Sequence, residues 1–409
     1  MVSLIMLAIM AGCAVGLYLK GTLAQGIVMI FNALVAGLVA FGFFEVAARY
    51  LIHYSPGMAP WAPMACFLLV LVLVFAILMA VEMQIAKEKV DLGTLPERIG
   101  RPLAGVVLGY IATGYLLVAA ALAPLPSEYP YPRFEARNPN PASPKKPLLS
   151  PDGFVSGLFA TISRGSFSAI RTPQSFALLH AGYVDQLHLN RPSAKDVPLM
   201  TSTPALDVPR KAGVWNAPAG LRDANGRPPS VPAGTSLMLV RVDFRKGALR
   251  DSARFTLSQM RLVCGPRGGA GQSLAGKGQP VYPLGYIGPG GHLETKSLSE
   301  VIALEGTQGE GDAITMDLAF AVPTNLVPVL LEFKRNNVVQ LSAPASAEDT
   351  PQPVPFGSPA PRSDSAVGAD ANAPQPAATP RPTKGRGGKK KKGLSDIGKS
   401  VVGDQMEDN

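Results

Sequence analysis

The hydrophobic residues are concentrated in the first third of the chain, where polar segments separate four long apolar runs. The runs cover residues 4–19, 23–44, 63–81 and 103–122. A helix needs about 20 residues to cross the hydrocarbon core of a bilayer, and only the first run is short for that purpose. The pattern predicts an all-α membrane domain over residues 1–124, folded as a four-helix bundle.

A proline-rich segment follows the fourth run. Residues 124–147 favour extended polyproline geometry, which makes a semi-rigid spacer. A short amphipathic helix is predicted over residues 151–163, because Ser-Pro-Asp opens the segment and apolar residues recur on one face. This helix either lies on the membrane surface or packs beneath the spans. Residues 125–231 are therefore predicted to be a linker that contains this helix and an irregular connector.

Apolar and polar residues begin to alternate near Ser236, which indicates half-buried strands. The clearest runs place apolar residues at Met238, Val240, Val242 and Phe244, and at Ile314, Met316, Leu318, Phe320 and Val322. They predict a C-terminal antiparallel β-sandwich over residues 232–345. The alternation changes parity near Gln259, which predicts a β-bulge there. The glycine-rich residues 265–291 are predicted to be an insertion at one end.

The last part of the chain, residues 346–409, has few large apolar residues and is predicted to be a disordered tail rich in proline and alanine. It contains a basic run without any acidic residue: Lys384, Arg386, Lys389, Lys390, Lys391 and Lys392. The run is either solvated or a polyanion-binding segment for anionic lipid headgroups or acidic wall polymers. Nucleic acid is the least favoured partner if the tail lies outside the cytoplasm.

Small residues at helical spacing predict close helix packing. Two Gly-x-x-x-Gly pairs and one further glycine share this property: Gly12 with Gly16, Gly105 with Gly109, and Gly114. In a lipid bilayer the hydrophobic effect does not drive helix association, and small residues let two backbones approach closely. We expect these faces to mediate self-association or to recruit other membrane proteins.

Polar residues are rare inside the runs. Asn32 is predicted to form a hydrogen bond between helices rather than to mark a polar pathway. Glu45 and Arg49 lie four residues apart at the end of the second run, where a helix would bring them together as an interfacial ion pair.

Basic residues in the short loops predict the orientation, because cytoplasmic loops carry an excess of lysine and arginine. The second loop contains one basic residue, whereas the first and third contain Lys20, Lys87, Lys89, Arg98 and Arg101. The first and third loops are therefore predicted to lie in the cytoplasm. Both termini and the C-terminal domain would then be extracytoplasmic.

Three local features occur together in residues 1–125. The first run ends in Gly16-Leu17-Tyr18-Leu19-Lys20, a loop carrying Glu97, Arg98 and Gly100 precedes the last run, and glycines space that run. These features resemble the colicin V production (CvpA) family of bacterial inner-membrane proteins. The family more often has Asp-Arg at the acidic pair, and Pro102, Tyr110 and Tyr115 also depart from its pattern. The resemblance implies a four-span membrane protein linked to toxin production or export and to envelope upkeep, without a known active site.

The motifs predict no catalytic, cofactor-binding or metal site. Much of the net charge of +9 comes from the basic C-terminal run, so it does not by itself indicate nucleic-acid binding. No serine lies in a Gly-x-Ser-x-Gly or Gly-Asp-Ser-Gly sequence. His180 and His188, with Asp185 between them, lack a further ligand at metal-binding spacing.

The sequence therefore predicts a non-enzymatic, multi-pass protein of the bacterial inner membrane. We expect it to act as a scaffold or tether that presents the β-sandwich to an envelope partner. The alternative is an accessory subunit of, or a direct component in, a membrane export or transport system.

Overall fold

The fold consists of four long N-terminal helices, three shorter helices and a C-terminal region of antiparallel sheets. The computed structural model describes residues 2–85, 93–164, 175–191, 197–201, 204–245, 254–266, 274, 276–304 and 313–356. Within them the α-helices are α1 (Val2–Lys20), α2 (Leu23–Tyr54), α3 (Ala62–Ile85), α4 (Thr94–Leu122), α5 (Pro151–Ser163), α6 (Phe176–Leu179) and α7 (Tyr183–Leu189). The basic run at residues 384–392 lies outside the described residues.

Each of α1 to α4 is long and apolar enough to cross a membrane, which confirms the four predicted segments. The helices are longer than the apolar runs: α2 continues to Tyr54 rather than ending at residue 44. Its 32 residues make a helix of about 48 Å, against a hydrocarbon core of about 30 Å. The amide of Asn32 donates a hydrogen bond to Glu82 Oε2 of α3 (3.2 Å), as predicted.

The segment predicted as a loop ahead of the last span is helical, because Glu97, Arg98 and Gly100 lie in the first turns of α4. The Leu23 N–H at the start of α2 donates to Glu97 Oε2 (2.8 Å), and Arg101 Nε lies 2.5 Å from the same oxygen. The carboxylate thus satisfies a backbone donor that a helix start leaves free. Gly100 packs against Leu23, and Arg98 is exposed.

Helix α1 covers the glycine face of α4. A Cβ added at Gly105 would lie 2.5 Å from Ala14 Cα, and one at Gly109 would lie 2.6 Å from Met10 Cα. The close approach predicted for this face is therefore made within the chain, and the face is not free for a second chain. Gly12 and Gly16 on α1 have open space beside them.

The strands form three antiparallel sheets in the described residues. They are β1 (Leu206–Asp207), β2 (Val214–Asn216), β3 (Thr235–Arg245), β4 (Arg254–Thr256), β5 (Met260–Pro266), β6 (Gln279–Val281), β7 (Pro283–Ile287), β8 (Leu293–Thr295), β9 (Val301–Ala303), β10 (Ala313–Pro323), β11 (Leu326–Phe333) and β12 (Asn337–Gln340). A six-stranded sheet has the order β1-β3-β10-β7-β8, with β2 also paired to β3; a four-stranded sheet has the order β12-β11-β5-β6, and β4 pairs with β9. Buried apolar side chains of β3, β10, β5 and β11 share one cluster, which includes Val240, Leu318, Leu262 and Phe333.

The glycine-rich residues 265–291 are not an insertion, because they contain β6 and β7, and β7 pairs with β10 inside the six-stranded sheet. Gly285 of β7 shows why a glycine is needed there: a Cβ would lie 1.9 Å from the carbonyl oxygen of Glu294 in β8. The connector also contributes to this sheet, since β1 and β2 both pair with β3 and Trp215 of β2 is fully buried.

The change of parity near Gln259 does not mark a bulge. A short 3-10 helix, Leu257–Gln259, separates β4 from β5. Strand β4 pairs with β9, whereas β5 pairs with β11. The chain therefore passes from one sheet to another at this point.

The ordered region extends past residue 345, where the sequence predicts the tail to begin. The Val354 N–H donates to Asp317 Oδ2 (2.7 Å), and Arg241 Nη2 donates to the Gln352 carbonyl oxygen (2.8 Å). Arg241 and Asp317 are themselves a buried pair with two hydrogen bonds of 2.8 Å. Residues 346–356 thus lie against the six-stranded sheet through backbone groups, which composition does not reveal.

Replacing Gly105 with alanine is expected to destabilise the protein by about 1–3 kcal/mol, because the new methyl group meets the backbone of α1. Gly12→Ala is the matched control, since nothing lies within 4 Å of a Cβ at that position. The melting temperatures of the two variants in detergent would measure the difference. Equal melting temperatures would contradict the packing of α1 on α4.

Candidate functional site

An aromatic cluster joins the membrane helices to the short helices that precede the sheets. The Phe41 ring of α2 has its centroid 5.2 Å from that of Phe159 in α5, 5.7 Å from Phe176 in α6 and 6.1 Å from Tyr183 in α7. Aromatic pairs at such distances contribute about 0.5–1.5 kcal/mol each beyond area burial. We call the contact of the C-terminal halves of α2 and α4 with residues 125–164 and 175–191 the junction.

A carboxylate near the end of α2 pairs with a histidine of the junction. His180 Nε2 lies 3.2 Å from Glu45 Oε1, and Arg49 Nη2 lies 3.9 Å from Glu45 Oε2. Burial acts to lower the pKa of His180, but the charge of Glu45 and the hydrogen bond to it outweigh burial and raise that pKa. The imidazolium form is therefore stabilised by contact with the membrane helix.

Arg133 of the proline-rich linker ties together three segments. It is buried, and its Nε donates to Asp185 of α7 (2.5 Å) while its Nη1 donates to the Tyr131 hydroxyl (2.7 Å). That hydroxyl donates in turn to Asp152 in the first turn of α5, which is also buried. Buried charges need such partners, because an uncompensated ion in a low-dielectric interior is costly. The linker, α5 and α7 are consequently held together.

Arg191, just after α7, binds the end of the last membrane helix. Its two terminal nitrogens donate to the backbone carbonyl oxygens of Ala120 in α4 and Tyr129 in the linker. The last turn of a helix leaves carbonyl groups without partners and carries partial negative charge, so a guanidinium is favourable there. Burial lowers the pKa of Arg191 to about 10, which leaves it charged at neutral pH.

A second buried arginine connects α7 to the sheets. Arg261 of β5 lies 2.7 Å from Glu332 of β11 through Nε and through Nη2, and its Nη1 donates to the Ala181 carbonyl oxygen (2.5 Å). Gln186 of α7 also donates to Glu332. All three side chains are buried. The four-stranded sheet is thereby fixed to α7, and through α7 to the membrane helices.

A small cavity of about 30 Å³ lies beside His188 and Arg191. Neither ring nitrogen of His188 has a hydrogen-bond partner within the described part of the chain, and the side chain is almost fully buried. Burial, with the charges of Arg191 and Arg133, lowers the pKa of His188 well below its usual range. The cavity has room for about two water molecules, which would hydrogen-bond to the neutral imidazole.

The residues considered for a metal site are used in separate ways. Asp185 pairs with Arg133, His180 pairs with Glu45, and the His188 ring lies 5.0 Å from the Tyr131 ring at an angle of 42°. In the residues that the structure describes, no group of three or more His, Cys, Asp or Glu side chains could hold a metal ion.

Gly114 and the Glu45–Arg49 pair belong to the junction, whereas Gly105, Gly109 and Glu97 lie on other faces of the helices. A Cβ at Gly114 would lie 2.5 Å from the Pro151 carbonyl oxygen, so α5 rests on α4 there. Sequence reasoning did not find Arg133, Arg191 or Arg261, because their partners lie 52 to 80 residues away in the chain. An arginine in the sequence gives no local signal of a partner so far along the chain.

The contribution of His180 is expected to depend on pH. Its pKa is raised in the folded state above the ordinary value of about 6.5, so its stabilising effect is fully present below pH ~6.5 and is lost as the pH rises through the folded pKa. His180→Gln should therefore lower stability by about 1 kcal/mol at pH 6, because Glu45 is partly exposed, and by less at pH 9. Melting temperatures of both proteins across this range would measure the effect. His53→Gln, at an exposed histidine of α2, is the control. The ion pair would be contradicted if the difference in melting temperature between His180→Gln and the wild-type protein increased with pH.

Comparison of the chain with known protein families, curated proteins and solved structures gives no match. The resemblance to the colicin V production family therefore stays a prediction.

Proposed function

We propose that this protein is a non-enzymatic membrane scaffold. Its spans form a four-helix bundle, its two larger sheets form a β-sandwich, and the junction holds the sandwich in one position beside the bilayer for a partner in the cell envelope. The proposal rests on the set of buried arginines, Arg133, Arg191 and Arg261, that link the spans, the linker and the sheets.

The junction supports a fixed arrangement rather than a flexible tether. Removing one partner of a buried ion pair costs about 3–5 kcal/mol, because the remaining charge stays in a low-dielectric environment. If the sheets moved away from α4 together with α6 and α7, Arg191 would separate from the Ala120 carbonyl and the aromatic contacts of Phe41 would break. A scaffold needs such rigidity if it is to present a surface at a defined height above the membrane.

The non-enzymatic role is proposed from the motifs, because no serine lies in a Gly-x-Ser-x-Gly or Gly-Asp-Ser-Gly sequence. We propose that the spans lie in a bacterial inner membrane with the sheets outside the cytoplasm, on the basis of the basic residues between the first and second apolar runs and between the third and fourth: Lys20, Lys87, Lys89, Arg98 and Arg101. A link to toxin production or export and to envelope upkeep rests on the family resemblance alone. Gly12 and Gly16 remain the proposed face for self-association, and the run from Lys384 to Lys392 the proposed contact with anionic lipid or wall polymer.

Orientation is the first test of this proposal. A reporter that is active only outside the cytoplasm is fused after Phe356, so that all four spans and the described residues precede it. This reporter should be active, because the proposal places the sheets outside the cytoplasm. The matched control carries a reporter that is active only in the cytoplasm at the same position and should be silent. The reverse pattern would place the sheets in the cytoplasm and would overturn an envelope partner.

The alternative function predicts different behaviour of the purified full-length protein. An accessory subunit should co-purify with a transporter, and a direct transport component should move solute across liposomes. A scaffold should do neither in isolation, and transport by the protein alone would contradict the proposal.

A further inference from the structure

Three large apolar side chains are exposed around the start of α5. Leu148, Leu149 and Phe154 have 49%, 64% and 45% of their surface exposed. They surround a turn in which Leu149 and Ser150 both adopt positive φ angles, 58° and 45°. Non-glycine residues rarely adopt this conformation, so contacts on either side must hold the turn in place.

Those contacts lie deep along the last membrane helix. The Tyr110 hydroxyl of α4 donates to the Leu149 carbonyl oxygen (2.9 Å), and the Tyr110 ring lies 5.4 Å from that of Phe154. The helix rises 1.5 Å per residue, so Tyr110 lies about 18 Å, and Gly114 about 12 Å, before the end of α4 at Leu122. The charge-free run of α4 extends from residue 103 to Leu122, so both contacts fall inside the stretch that crosses hydrocarbon.

The exposed face of α4 continues onto this turn. Leu103 and Val107 are exposed, and each precedes Tyr110 or Gly114 by one or two helical turns, so the four positions share a face. An exposed apolar face on a helix that crosses a membrane is covered by lipid. Leu149 and Phe154 lie beside this face, where Tyr110 contacts both.

The polar groups at the start of α5 are satisfied inside the protein. Asp152 is 1% exposed and accepts hydrogen bonds from the Tyr131 hydroxyl and from the Gly153 N–H (2.8 Å). Backbone and charged groups can lie at membrane depth only when the protein supplies their partners. Lys145 and Lys146 are exposed just before the turn, and long basic side chains at such positions extend their charge toward headgroups.

We propose that the turn and the first residues of α5, residues 148–154, are inserted into the bilayer leaflet on the side of the sheets and are covered by lipid acyl chains. The segment is a re-entrant wedge: the chain leaves the membrane after α4, folds back beside it and leaves again along α5. The sheets are then anchored to the bilayer by this wedge as well as by the spans.

The test uses the full-length protein with its three native cysteines replaced by alanine and a single new cysteine carrying an environment-sensitive fluorophore. Leu149→Cys and Phe154→Cys report on the wedge. Leu116→Cys, at another exposed position in the charge-free run of α4, is the control in lipid, and Ser143→Cys, exposed in the linker, is the control in water. Each is reconstituted into phosphatidylcholine and phosphatidylglycerol vesicles that carry a quencher on the acyl chain.

The labels at positions 149 and 154 should lose as large a fraction of their fluorescence to the acyl-chain quencher as the label at position 116, and should resist a water-soluble quencher. Quenching like that at position 143 would overturn the proposal, because the wedge would then lie in water. Protection from both quenchers would also overturn it, because a protein surface, such as a second copy of the chain, would then cover the wedge. Neither result depends on the scaffold function or on its orientation.

Discussion

Burial of three guanidinium groups, two in the junction and one in the adjoining strand β5, is the constraint on which the arrangement of the spans and sheets depends. Arg133, Arg191 and Arg261 are withdrawn from water, so each requires partners close by. The partners come from different parts of the chain: Asp185 for Arg133, the end of α4 for Arg191, and the Ala181 carbonyl oxygen, besides Glu332 of the neighbouring strand, for Arg261. All three arginines have their partners in a single position of the sheets relative to the spans.

The arrangement of the membrane helices depends on helix length and on close packing at glycines. Helix α2 is longer than the hydrocarbon core, and its last turns carry Glu45 toward His180 of the junction. Helices α1 and α4 approach each other through Gly105 and Gly109, where backbone contact replaces the missing hydrophobic drive between helices. The glycine at position 114 performs the same role for α5, which brings the wedge against the last span.

Sequence patterns predicted the elements that are long and periodic. The four apolar runs and strands β3 and β10 have enough residues for their period to stand out, and they were found. Strands β1, β2 and β7 were missed because they are short and flanked by proline and glycine, which locally resembles a loop. The passage between sheets at Gln259 has the same change of parity as a bulge, and only the strand partners distinguish the two. The buried arginines were missed because charge pairs between distant segments leave no spacing to recognise.

The distance between the sheets and the spans in a lipid bilayer tests the fixed junction most directly. This distance is measured between two spin labels in a protein without its native cysteines. One label is attached at Tyr54→Cys, at the exposed end of α2, and the other at Asn225→Cys, in an exposed turn of the sheet region. A fixed junction predicts one narrow distribution of distances between the two labels. A broad distribution would mean that the sheets move freely on the linker, and it would contradict a scaffold held by buried charges.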